Sequence, residues 1–129
     1  MFNAQVGHGV FADNLSVGVS CTGDGESFMK MGIARFVMTY QFKTSKSYYY
    51  AFRRISANVE INSMNPTEAI SEALTTMTQR VGGDGGAIAL SPDGAAGVSW
   101  NSEQMSWAYG NEGKLNYGVN PGENFEEDI

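Results

Sequence analysis

The sequence predicts an α+β fold, in which short strands and two helices occupy separate stretches of the chain rather than alternating strictly. Three observations support this prediction. Apolar residues alternate over 15–21, apolar residues recur at helical spacing from Phe28 to Met38, and two hairpin patterns lie within 87–119. A length of 129 residues predicts a single domain over 1–129.

The first half of the chain predicts a strand, a glycine loop and a helix. Leu15, Val17, Val19 and Cys21 alternate with small or polar residues, which predicts a strand over 15–21 with one buried face. A helix is predicted over 27–40, with an apolar face of Phe28, Met31, Ala34 and Met38.

A second helix is predicted to begin at Asn65. Asn is a good N-cap, Pro66 suits the first helical position, and Glu68 stands three residues after the cap. Gly82 and Gly83 are expected to end this helix. Its expected apolar face contains Ile70, Ala73, Leu74 and Met77.

The last third of the chain predicts two hairpins and a tail. Strands over 87–90 and 95–100 flank Ser91-Pro92-Asp93-Gly94, and strands over 104–109 and 114–119 flank a glycine-rich turn over 110–113. The acidic tail over 121–129 is expected to fray into solvent.

A basic, tyrosine-rich segment over 43–62 has no clean helical or strand period. Basic residues interleaved with aromatics suggest a nucleic-acid surface, whereas an inserted loop or translated non-coding sequence is the plainer interpretation. A net charge of −6 and a pI near 4.6 argue against a polyanionic partner. We therefore expect no nucleic acid among its partners.

Composition limits several other classes of function. No apolar run is long enough to span a membrane and no signal peptide is visible, so we expect a cytoplasmic protein without a membrane partner. The lone Cys21 is expected to be a small buried residue, the alternative being a nucleophile pair with His8. With one Cys and one His, the chain is expected to bind no metal, and we expect no cofactor. Asp84 is expected to be a turn residue, the alternative being a cation ligand.

The segment Thr22-Gly23-Asp24-Gly25-Glu26 follows the first predicted strand and precedes the first predicted helix. A glycine loop at such a junction can present backbone N–H groups to a carboxylate or an oxyanion. A simple strand-to-helix turn is the alternative. A phosphate-binding P-loop is excluded, because no Gly-Lys-Ser/Thr follows.

Three blocks resemble the β-subunit of plant-type L-asparaginase/isoaspartyl peptidases, in the family's order. They are Gly9-Val10-Phe11-Ala12-Asp13-Asn14 with Val19-Ser20-Cys21-Thr22-Gly23-Asp24-Gly25-Glu26, then residues 80–90, then Trp107-Ala108-Tyr109 with Gly113-Lys114-Leu115 and Gly118-Val119. Glu26 favours this branch over the related glycosylasparaginases, which tend to carry Asp there.

The resemblance implies an N-terminal nucleophile hydrolase acting on L-asparagine or a β-aspartyl dipeptide. Its fold would be half of an αββα sandwich, and its assembly an αβ heterodimer or a dimer of heterodimers. Thr22 and Gly23 would form the oxyanion hole, and Gly25 would contact the bound amino acid. The nucleophile would be a Thr freed at a new N-terminus, with its own α-amine as base.

The chain also departs from the family's pattern. The family's nucleophilic Thr lies well upstream of the motif at Gly9, and an ungapped alignment places Phe2 on the Asp that binds the substrate ammonium. We therefore expect the 129-residue chain alone to be inactive. The alternative hypothesis is a non-catalytic asparaginase-like protein that acts by binding a partner.

Overall fold

Helices and antiparallel strands make up the part of the chain that the computed structural model describes, residues 5–14, 17–41 and 65–129. The strands are β1 (Val10–Asp13), β2 (Val17–Gly23), β3 (Gly85–Leu90), β4 (Ala96–Trp100), β5 (Trp107–Asn111), β6 (Lys114–Gly118) and β7 (Phe125–Asp128). The helices are α1 (Gly25–Met31), α2 (Ile33–Gln41) and α3 (Pro66–Val81). The prediction of helices together with antiparallel sheets is confirmed.

A four-stranded antiparallel sheet in the order β1-β2-β3-β4 contributes one layer of the hydrophobic core. Val17, Val19 and Cys21 of β2 point to one face and are buried, as the alternation predicts. Ala87 and Ala89 of β3 stand opposite Cys21 and Val19 in the register. Helices α2 and α3 pack on this face and complete the core. The predicted strand is thus confirmed within the described residues, although it continues to Gly23.

The single helix predicted over 27–40 is wrong, because the chain breaks at Gly32. Gly32 takes a left-handed conformation (φ 61°, ψ 48°) and ends α1. A second helix then starts at Ile33, and its first turn donates from Ala34 N and Arg35 N to the carbonyls of His8 and Gly7, at 3.0 and 3.1 Å. These carbonyls satisfy donors that a helix start leaves without an intrahelical partner.

Helix α3 begins as predicted. The Asn65 side chain accepts a hydrogen bond from Glu68 N at 2.9 Å, and Glu68 Oε2 accepts one from Asn65 N at 3.2 Å. This reciprocal pair is a capping box, and Pro66 occupies the first turn. The apolar face is buried as expected; it comprises Ile70, Ala73, Leu74 and Met77.

Both predicted hairpins are present, with shifted bounds. Strands β3 and β4 flank the turn at 91–95, where Gly94 has a φ of +88°. Strand β5 begins three residues later than predicted, and Glu112 and Gly113 alone make the turn to β6, with φ values of +51° and +75°. Two successive residues of positive φ match the twist of a tight hairpin, so the turn is shorter than its four-residue glycine motif suggested.

The expectation of a frayed tail is wrong, because β7 pairs with β6 to complete a second sheet of order β5-β6-β7. The Tyr117 and Phe125 rings lie 5.5 Å apart, and Tyr117 Oη donates to Glu127 Oε1 at 2.7 Å. Backbone pairing with β6 and these cross-strand contacts offset the solvation that favours a free acidic tail.

The basic segment and the question of a membrane-spanning helix both involve residues that the structure does not describe. The segment over 43–62 lies outside the described residues, so its interpretation as an insert stays a prediction. Among the helices of the described ranges, none is long and apolar enough to cross a membrane.

Candidate active site

The strand-to-helix turn at the end of β2 carries the residues that the sequence singled out. Thr22 lies opposite Gly86 and Gly23 opposite Gly85, on the adjacent strand β3. Thr22 is exposed on the sheet face away from the helices, and Gly25 is the first residue of α1. The structure therefore brings the two predicted glycine blocks, around Gly23 and Gly85, side by side.

The two strands approach so closely at this point that neither tolerates a side chain. A Cβ on Gly23 would lie 2.5 Å from both Asp84 O and Gly85 Cα. A Cβ on Gly85 would lie 2.4 Å from Thr22 O. Gly23 also has a φ of +142°, which L side chains rarely adopt. The glycines thus set the distance between the two backbones, and hence the position of Thr22.

The start of α1 already has polar partners within the chain. The helix has seven residues, and the N–H of its N-cap, Asp24, already donates to Asp84 O at 2.9 Å. Ser27 Oγ donates to the Asp24 carboxylate at 2.6 Å, so this negative charge itself lies at the positive end of the helix. The roles expected for Thr22, Gly23 and Gly25 stay predictions.

The third sequence block joins the site through a residue that the sequence analysis missed. Met105 is buried, and a Cβ on Gly86 would lie 2.4 Å from its sulfur. Met105 N donates to Val119 O at 3.2 Å, which ties the segment before β5 to the end of β6. Because Gly86 stands opposite Thr22, and Cys21 and Ala87 face the helices, Met105 packs on the same face of the sheet as Thr22.

The structure favours the interpretation of Cys21 as a buried core residue over a nucleophile pair with His8. Cys21 is a free, buried thiol, and burial raises its pKa to about 12, which keeps it protonated at neutral pH. His8 Nδ1 is buried without a hydrogen-bond partner among the described residues, so this nitrogen does not accept a hydrogen bond from the thiol. Cys21 is therefore the small core residue that the sequence predicted.

Asp84 is exposed and lies in the turn between α3 and β3. Its backbone carbonyl accepts from Asp24 N, which is a structural role for the residue. Within the described ranges, no three His, Cys, Asp or Glu residues are grouped so that they could hold a metal ion.

Comparison with known proteins decides the family. The asparaginase family model matches residues 3–56 and 47–119, two segments that together span most of the chain. The chain belongs to the asparaginase family. The resemblance inferred from the three sequence blocks is thereby confirmed.

Relatives within the asparaginase family are similar over nearly the whole chain. It is 34% identical to the isoaspartyl peptidase/L-asparaginase of Danio rerio over 124 residues, which are 96% of this chain and 34% of that protein. It is 34% identical to the Homo sapiens isoaspartyl peptidase/L-asparaginase over 116 residues, 90% of this chain and 32% of the human protein. The isoaspartyl peptidase of Salmonella typhimurium is 32% identical over 108 residues, 84% of this chain and 29% of its own length. The asparaginase-family chain therefore spans about a third of the length of these curated relatives.

Proposed function

We propose that the natural protein carrying this chain hydrolyses the side-chain amide of L-asparagine and the isoaspartyl bond of β-aspartyl dipeptides. The observation that supports this most directly is the Thr22–Gly23 turn. An exposed threonine stands at the end of a strand whose backbone is fixed by a glycine-to-glycine approach. Family membership and the printed names of the relatives give the reaction class.

In this proposal Thr22 and Gly23 stabilise the negative charge that develops on the carbonyl oxygen of the scissile amide. Gly25, at the start of α1, contacts the bound amino acid. The nucleophile is the upstream Thr that the family resemblance implies, whose hydroxyl oxygen adds to the amide carbon while its proton passes to its own α-amine. A rigid turn suits the task of Thr22 and Gly23, since an oxyanion hole works by preorganisation.

We further propose that the chain forms one half of an αββα sandwich. The face of the four-stranded sheet opposite the helices carries apolar side chains that the described residues leave partly open, including Leu90 at 50% exposure and Val10 at 36%. Strands β1 and β4 form the edges of this sheet. A second sheet from the rest of the natural protein would cover that face and could form the αβ heterodimer that the resemblance implies.

The test compares two substitutions on the same face of β2 in the natural protein. Thr22→Ala should lower kcat for L-asparagine and for a β-aspartyl dipeptide by about 10²–10³-fold, the usual cost of removing one oxyanion donor. Ser20→Ala is the matched control, because Ser20 is exposed two residues earlier on that face and should keep its activity. A fully active Thr22→Ala variant would refute the assignment of Thr22.

The alternative function is a non-catalytic asparaginase-like protein that binds a partner. The open apolar sheet face and its two edge strands favour this alternative, since both invite association. Hydrolysis by the natural protein supports the enzyme, and a natural protein that binds a family member without any turnover supports the alternative.

A further inference from the structure

A chain of side-chain hydrogen bonds holds the backbone on which Gly85 lies. Gly85 N donates to Asn101 Oδ1 at 2.9 Å, and Asn101 Nδ2 donates to Thr78 Oγ1 at 2.8 Å. Thr78 Oγ1 in turn donates to Gly83 O at 3.0 Å. We call Thr78 and Asn101 the latch, since together they bind both ends of the 83–85 segment.

Glycines on both sides of Asp84 make the conformation of this segment depend on the residues around it. Gly82 and Gly83 have φ values of +72° and +84°, and neither has a side chain that could pack. Asn101 N also donates to Gly85 O at 2.9 Å, so Gly85 is bonded to Asn101 through both its N–H and its carbonyl. The latch therefore adds side-chain hydrogen bonds to the restraint that the glycine-rich segment receives from Gly23 and from Asp24 N.

Movement of Gly85 would be transmitted directly to the proposed oxyanion donors. Gly85 packs tightly against β2, because a Cβ on Gly85 would lie within 2.8 Å of both Thr22 O and Gly23 Cα. Asp24 N donates to Asp84 O at 2.9 Å, which couples the same two segments by a hydrogen bond. Displacing an aligned catalytic group by about 1 Å can cost 10²-fold in rate.

We propose that Thr78 and Asn101 are positioning residues that hold Thr22 and Gly23 in place through Gly85. This inference rests on the proposed function of Thr22 and Gly23. The hydrogen bonds of the two side chains run to Gly83, to Gly85 and to each other, so they act on the Thr22–Gly25 turn through the backbone of 83–85. Asn101 uses its amide as acceptor and donor at once, so its orientation is fixed by its two partners.

The test uses threonine variants on one helix in the natural protein. Thr78→Val keeps the shape of the side chain but removes the hydroxyl, whereas Thr78→Ser keeps the hydroxyl. Thr75→Val is the matched control, because Thr75 Oγ1 donates to Ser71 O within the same helix and has no hydrogen bond to the glycine segment. Activity is measured per folded molecule, with kcat and KM determined separately.

The latch predicts a loss that appears in kcat. Thr78→Val should lower kcat by about 10- to 100-fold and change KM by less than about threefold, because oxyanion contacts strengthen in the transition state. Thr78→Ser should restore kcat to within about threefold of the wild type, and Thr75→Val should match the wild type. If Thr78→Val does not fold, Asn101→Asp serves instead; it keeps the acceptor for Gly85 but cannot donate to Thr78, and should lower kcat in the same way.

The outcomes separate this inference from the proposed function. A wild-type protein without hydrolytic activity overturns both. A wild-type protein that is active, with Thr78→Val unstable but unchanged in kcat per folded molecule, overturns the latch alone and assigns Thr78 to stability. A fall in kcat that Thr78→Ser does not restore also overturns the latch, because the hydroxyl would then not be the group responsible.

Discussion

Substitution of Gly23 by alanine probes the close approach at the centre of the candidate site. The new Cβ would lie 2.5 Å from Asp84 O and Gly85 Cα, so backbone must move by about 0.9 Å to reach ordinary contact at 3.4 Å. Overpacking of this kind costs about 1–3 kcal/mol. The φ of +142° adds about 1–3 kcal/mol for a residue with a Cβ. Gly23→Ala should therefore lower the free energy of unfolding by about 2–6 kcal/mol.

The assay is urea unfolding of the natural protein, with turnover of L-asparagine measured on the folded fraction. Gly94→Ala is the matched control, since Gly94 also has a positive φ (+88°) but no atom within 4 Å of its would-be Cβ. Gly94 lies in the turn at the other end of β3, so its substitution should leave kcat unchanged.

Gly23→Ala should also reduce kcat by about 10²-fold or more, because the displaced backbone carries the proposed oxyanion donor. The reasoning fails if Gly23→Ala costs no more stability than Gly94→Ala and keeps its kcat. In that case the backbones would separate without loss, and the glycine pair would have no bearing on the position of Thr22.

Two further predictions concern stability. Asn65→Ala removes the capping box of α3 and should lower the free energy of unfolding, measured in urea, by about 1 kcal/mol. Ser71 is exposed on the same helix, so Ser71→Ala is the control and should change this free energy by less than about 0.5 kcal/mol. Equal effects of the two substitutions would contradict the role of the cap. Burial raises the pKa of Cys21 from 9.0 to about 12, so the folded state keeps a proton that the unfolded state releases, and stability should fall above pH 9 by up to about 1.4 kcal/mol per pH unit. The free energy of unfolding in urea is compared between wild type and Cys21→Ala from pH 8 to pH 10, and the variant should lack this fall. If the free energy depends on pH equally in both proteins, the Cys21 thiol ionises in the folded state as it does in the unfolded state.

The sequence by itself determined the features that depend on near neighbours. The alternation through Val17, Val19 and Cys21 gave the buried face of β2, because successive side chains of a strand point to opposite faces. Asn65 and Glu68 fixed the start of α3, since both partners of the capping box lie within one helical turn. The glycine blocks around Gly23 and Gly85 were likewise visible as motifs and as a family resemblance.

Tertiary contacts decided the features that depend on distant partners. The helix predicted over 27–40 is broken at Gly32 because the carbonyls of Gly7 and His8, some 25 residues away, accept from the first turn of α2. The acidic tail is ordered because the unpaired edge of β6 accepts β7.

The candidate site shows the same division. Thr22 and Gly23 were found from their motif, but Thr78 and Asn101 carry no local signal, because a threonine near a helix end and an asparagine after a strand are ordinary in those places. They meet across 23 residues of sequence, at 2.8 Å, because the register of β3 and β4 and the packing of α3 on them place the two side chains together. A motif specifies which backbone can form a turn, whereas the partners that hold that turn in place are determined by the sheet register and the helix packed against it.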